Sequence, residues 1–133
     1  MELNRYIDHT LLSPSATETD ILKLCEEALK YNFYSVCVNS CYVPIAKQAL
    51  GRSEVKVCTV VGFPLGAMST EAKVFEAKKA IEQGATEIDM VMNIGRLKSK
   101  NYVAVLKDIS DVKRAIGLIP LKVILEISEL SKN

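Results

Sequence analysis

The sequence predicts an α/β fold in which a parallel sheet is covered by helices. Three observations point to it. Strand-like and helix-like segments alternate along the whole chain. The strands read mostly as continuous apolar runs, the mark of strands shielded by helices. Strands begin near positions 33, 55, 87 and 121, which is the spacing of successive βαβ units.

The clearest helix is expected over 16–31, where Ile21, Leu24, Cys25, Ala28 and Leu29 recur at helical spacing opposite Glu18, Asp20, Glu26 and Glu27. Ser15, with Glu18 three residues on, suits a capping box, and Asn32 suits the exit. Residues 33–39 then read as a short buried strand, and 42–50 as a helix stopped by Gly51. A second strand, Val-Lys-Val-Cys-Thr-Val-Val at 55–61, breaks at Gly62-Phe63-Pro64. The next helix spans 69–83, capped by Ser69, with Ala72, Phe75, Ala80 and Ile81 as its apolar face and Gly84 after it. Residues 88–92 form a third strand, 101–116 an amphipathic helix closed by Gly117, and 121–125 a further strand. No linker or low-complexity stretch interrupts the series, so 1–133 is read as one domain.

Composition narrows the function classes. Hydrophobic residues make up 49% and charged residues 25% of 133 residues, the proportions of a globular chain. Seventeen Lys+Arg against sixteen Asp+Glu give a net charge of +1, no basis for a nucleic-acid or membrane partner. The apolar runs are too short to span a bilayer, and Met1-Glu2-Leu3-Asn4-Arg5 lacks the apolar stretch of a signal peptide. Cys25, Cys37, Cys41 and Cys58 contain no C-x-x-C, and His9 is the single histidine, which argues against a zinc site. Free, buried thiols in a reducing cytoplasm are expected, with a reactive thiol at Cys37 or Cys41 as the alternative. Gly62-Phe63-Pro64-Leu65-Gly66 fits neither a dinucleotide fingerprint nor a Walker loop.

In parallel α/β folds, chemistry collects at the C-terminal ends of strands. Five groups stand out on that rule: Asp8 with His9 and Thr10; Cys37 with Asn39; the 62–66 loop; Asp89 with Asn93; Lys122 with Glu126. Asp89 lies within Ile88-Asp89-Met90-Val91-Met92, and a buried carboxylate needs either a cationic partner or a task. Lys122, within Leu121-Lys122-Val123-Ile124-Leu125, poses the same question with opposite charge. Each has a plainer reading: Asp89 a structural ion pair, Lys122 and Lys56 solvent-facing edge residues, His9 a hydrogen-bonding residue of the packing, the 62–66 loop a turn. An acid and an amine on neighbouring strands of one sheet can, however, shift each other's pKa and move protons.

Ile7-Asp8-His9-Thr10-Leu11-Leu12, Val36-Cys37-Val38-Asn39, Val60-Val61-Gly62-Phe63-Pro64-Leu65-Gly66, Gly84-Ala85-Thr86-Glu87-Ile88-Asp89-Met90-Val91 and Leu121-Lys122-Val123-Ile124-Leu125-Glu126 resemble, in order, the deoxyribose-phosphate aldolase family. The resemblance implies a (β/α)8 TIM-type barrel of which this chain holds about five of eight strands. It implies reversible cleavage of 2-deoxy-D-ribose 5-phosphate to glyceraldehyde 3-phosphate and acetaldehyde, by a class I Schiff-base mechanism with no metal or other cofactor. It also implies roles: Asp89 as a proton relay, Lys122 as a lysine lining the same site, Asp8 as an aspartate near the floor, and Cys37 beside the aldehyde pocket. The chain departs at Ser40, where the family commonly has proline, and at Ile127, where threonine usually follows the glutamate. The family's Schiff-base lysine lies on strand six, its pKa-lowering lysine on strand seven and its phosphate loops later, whereas this chain ends at Asn133. The expectation is therefore an aldolase chain that is inactive alone, binds sugar phosphate weakly or not at all, and self-associates to cover its open sheet. The alternative is a non-catalytic half-barrel that serves as an assembly module.

Overall fold

A computed structural model describes residues 3–126 and 128. Met1, Glu2, Ile127 and Asn133, which entered the reading above, lie outside the described residues. The elements run β1 (Asp8–Leu11), α1 (Glu18–Tyr31), β2 (Ser35–Val38), α2 (Val43–Leu50), β3 (Lys56–Val61), α3 (Thr70–Glu82), β4 (Glu87–Val91), α4 (Ile94–Lys98), α5 (Tyr102–Ile116) and β5 (Leu121–Ile124). Short 3-10 turns occupy Leu3–Tyr6 and Ser40–Tyr42.

All five strands are parallel and their spatial order is their sequence order, β1-β2-β3-β4-β5. That order decides between the two parallel architectures. A doubly wound sheet reverses direction at a switch point and carries helices on both faces. Here every crossover advances the same way, and right-handed crossovers then place every helix on one face. The main core lies between that face and the helices. Val36, Val38, Val57, Val61, Ile88 and Met90 pack there against Ile21, Leu24, Ala28, Ala46, Ala77, Ala80 and Val112. A second, smaller cluster of Cys37, Cys58 and Val60, with Leu12, Phe63 and Ile124, sits on the opposite face, the one that lines a barrel's interior.

Three local expectations are corrected. Helix α1 starts at Glu18 rather than Ala16, and its capping box is Thr17 with Asp20, not Ser15 with Glu18. Ser15 is engaged with the Ser13 hydroxyl at 3.0 Å, whereas Thr17 Oγ1 accepts from the Asp20 amide and the Asp20 carboxylate accepts from the Thr17 amide. On α3 the apolar face is rotated: Phe75 is 71% exposed while Lys73 is fully buried. Lys73 goes inside because α5 offers it a counter-ion, Asp108, at 2.5 Å, and the Val91 carbonyl accepts from it at 3.0 Å. The cysteines are free, but only Cys25, Cys37 and Cys58 are buried; Cys41 is exposed in its 3-10 turn. Burial pushes the Cys25 thiol up to about 11, as befits a core side chain. Among the described residues no helix is long and apolar enough to cross a membrane.

Candidate active site

Strand pairing converts residues that are far apart in sequence into one polar cluster on the barrel-interior face. The register sets Asp89 of β4 opposite Lys122 of β5. Lys122 Nζ lies 3.6 Å from Asp89 Oδ1, 3.8 Å from Glu87 Oε2 and 2.9 Å from Asp8 Oδ2. Its four-carbon stem thus reaches from β5 across the interior to β1. Asp8 opens β1 and is held from its other oxygen by the hydroxyl of Ser35, which opens β2. Glu87 opens β4 and accepts from the Tyr34 hydroxyl. A cavity of about 370 Å³ lies here, lined by Arg5, Tyr6, Asp8, Tyr34, Glu87, Pro120 and Lys122. A larger groove of about 550 Å³ runs between α3 and α5, on the outer side and away from these groups.

The electrostatics follow from this geometry. Burial raises Asp89 above the usual aspartate range; Lys122 and the Cys58 thiol pull the other way without cancelling it. Burial also works against ionised Asp8, but the Ser35 hydroxyl and Lys122 outweigh it, so this carboxyl lies below the usual range. Desolvation likewise opposes the charge on Lys122. The bond to Asp8 and the field of Asp89 win, and the amine is held firmly as ammonium. The cluster therefore pairs one fixed cation with one carboxyl biased toward holding a proton.

The sequence placed Asp8, Asp89 and Lys122 on a list of strand C-terminal ends; the structure locates them differently. Asp8 is the first residue of β1, and Lys122, the second of β5, is in register with Asp89 midway along β4, so none of the three stands at a strand's C-terminal end. Cys37 stands on the same face, in register with Cys58 and within 4.8 Å of a carboxylate oxygen of Asp89. His9 points the other way: its ring stands edge-on to Phe33 at 5.1 Å, and Nε2 is 3.5 Å from Glu27 of α1. The 62–66 loop is a tight turn. The Gly66 amide donates to the Gly62 carbonyl at 2.7 Å, and Gly62 donates to Glu76 of α3 at 2.9 Å. Gly66 is required there, because its φ is +65° and a Cβ would sit 2.3 Å from the Met92 carbonyl oxygen.

Ser35, Tyr34, Cys58 and Glu87 were not singled out from the sequence. Glu87 was legible, since it stands two residues before Asp89 and period two puts both on one face. Ser35 and Cys58 were not, because only lateral register brings them in.

Residues 4–132 match the family model described as DeoC/LacD family aldolase. The chain belongs to that family. A deoxyribose-phosphate aldolase of Finegoldia magna is 64% identical over 126 residues, which are 95% of this chain and 59% of that protein. A crystal structure from Coccidioides immitis, provisionally named a deoxyribose-phosphate aldolase, superposes with a TM-score of 0.96 at 48% identity, covering 98% of this chain and 51% of the other. The tetrameric deoxyribose-phosphate aldolase of Aeropyrum pernix superposes at 0.78 with 36% identity, over 97% of this chain and 54% of that one. The chain thus spans about 60% of the length of the curated relative and about half of these barrel structures.

Proposed function

We propose that this chain supplies the first five strands of a class I aldolase that cleaves 2-deoxy-D-ribose 5-phosphate to glyceraldehyde 3-phosphate and acetaldehyde, with 1–133 belonging to one barrel domain in the cytoplasm. The observation that carries this is the Asp89–Lys122 pair in register, with the acid raised and the amine held charged. A Schiff-base aldolase must move protons on carbon. A half-buried carboxyl that holds its proton readily, yet has a cation beside it to stabilise the anion, suits that work. Asp89 takes the acid–base role. Lys122 is its electrostatic partner, Asp8 and Ser35 hold that ammonium in place, and Cys37 stands beside Asp89 on the same face.

The same charges decide what Lys122 does not do. A Schiff base starts from a neutral amine, and Asp8 and Asp89 keep this one protonated. The nucleophile must then come from outside this cluster. Borohydride trapping with acetaldehyde, resolved by residue, tests the assignment. The expected result is no adduct on Lys122 beyond that on surface lysines, and a gain of deoxyribose 5-phosphate cleavage when the remaining part of the Finegoldia magna relative is supplied in trans. A preferential adduct on Lys122 overturns the role given to it. Folded, associated halves with no cleavage overturn the aldolase reading. Sugar phosphate binding by the chain alone is expected to be weak, and tight binding in a calorimetric titration contradicts this.

A further inference from the structure

Parallel register sets Cys37 of β2 directly beside Cys58 of β3, and both point to the interior face. The next strand brings Asp89 to the same spot. Both sulfurs and a carboxylate oxygen of Asp89 all lie within 4.8 Å of one another. Neither thiol is in a disulfide, and Asp89 Oδ1 is buried with no hydrogen-bond partner. Three potential ligands thus converge from three strands, around a point walled by Val60, Leu12, Phe63 and Ile124.

We propose that Cys37, Cys58 and Asp89 form a three-ligand site for a thiophilic divalent cation, Zn2+ or Cd2+, with the fourth position open to the barrel interior. Two sulfurs on one tetrahedral zinc ion stand about 3.8 Å apart, from bond lengths of ~2.3 Å, so rotamer-scale movements close the site. Sulfur ligands select soft ions; with one carboxylate as the sole oxygen donor, Mg2+ and Ca2+ are excluded. Lys122, 3.6 Å from Asp89, does not forbid the ion. Two thiol protons, and the Asp89 proton where the carboxyl holds one, leave as a divalent cation arrives, so the net charge facing the ammonium does not become more positive. The apolar walls hold the ligands in a medium of low dielectric, where the metal–thiolate attraction is strong.

This site shares Asp89 and Cys37 with the aldolase reading, and its readout is binding rather than turnover, so the two stand or fall by separate measurements. The test uses the reduced full chain carrying Cys41→Ser, which removes the exposed thiol, and titrates it with Cd2+ while the sulfur-to-cadmium charge-transfer absorption is followed. One ion per chain is expected, with no competition from excess Mg2+. Cys58→Ala and Asp89→Asn are each expected to weaken binding by roughly tenfold or more, since even outer-shell losses cost that much. Circular dichroism confirms that each variant is folded. Should Cys58→Ala not fold, Cys37→Ser gives the same reading. A folded parent with no charge-transfer band overturns the proposal, as does a band unchanged by loss of either thiol.

Discussion

Replacing Lys73 by methionine tests how the end of β4 is held beside the candidate site. Lys73 is fully buried and Asp108 nearly so; the Nζ–Oδ2 separation is 2.5 Å, and the same ammonium donates to the Val91 carbonyl at 3.0 Å. Methionine keeps the apolar stem and approximate length, so the change isolates the charge. It leaves the Asp108 carboxylate buried with the Thr70 hydroxyl at 2.9 Å, and it leaves Val91 without that donor. Removing one partner of a buried ion pair costs about 3–5 kcal/mol. With a urea slope of about 1.5 kcal/mol/M for a chain of this size, the unfolding midpoint falls by about 2–3 M. The double variant Lys73→Met/Asp108→Leu behaves differently, because it buries no orphaned charge. It is expected within about 2 kcal/mol of the parent, a small residual cost from the unpaired Thr70 and Val91 groups. The assay is urea unfolding of the parent, both single variants and the double. A single-variant shift below about 0.5 M, or a double variant as unstable as the summed singles, refutes the reasoning.

Two further outcomes follow from the site. Lys122→Met is expected to raise the carboxyl pKa of both Asp8 and Asp89, read by carbon-13 NMR titration, and an unmoved Asp8 contradicts the ion-pair account. The two carboxyls act on stability with opposite signs: lowered Asp8 stabilises above the ordinary aspartate range and loses that as pH falls, whereas raised Asp89 favours the fold at low pH and loses that as pH rises. Asp89→Asn is therefore expected to gain stability relative to the parent as pH rises above the ordinary aspartate range, and a stability difference that does not change with pH contradicts it. Gly66→Ala forces a side chain into a left-handed backbone and against the Met92 carbonyl, so it is expected to cost about 2–4 kcal/mol. Gly51→Ala shares the positive φ but meets nothing within 4 Å, and an equal loss in the two variants rules out the clash.

Much of the chain-wise order was legible because its causes are local. Helix ends followed from Asn32, Gly51, Ser69 and Gly117, each of which acts on its own turn. The capping box was misplaced by two residues because Ser15 and Thr17 offer the same chemistry, and only the Ser13 contact separates them. Lys73 was not legible at all. A lysine on a helix reads as solvated unless the counter-ion on another helix is known, and Asp108 lies 35 residues away. Cys37 and Cys58 meet through lateral register, which spacing within one strand does not encode.

The strands contain a signal that their reading as continuous apolar runs passed over. In β4, Glu87 and Asp89 alternate with Ile88 and Met90; in β5, Lys122 alternates with Leu121 and Val123; in β1, Asp8 and Thr10 alternate with His9 and Leu11. The apolar members of β4 belong to the core under the helices, and the charged members converge on the opposite face. A doubly wound sheet has helices on both faces and tolerates little such alternation, whereas a barrel needs helices on only one and can keep polar groups inside. Period-two polarity within helix-covered strands is therefore what separates the two architectures in this chain. It also explains why Asp89 and Lys122 look anomalous one at a time: each sits on the half of its strand that no helix covers, and there each is the other's counter-charge.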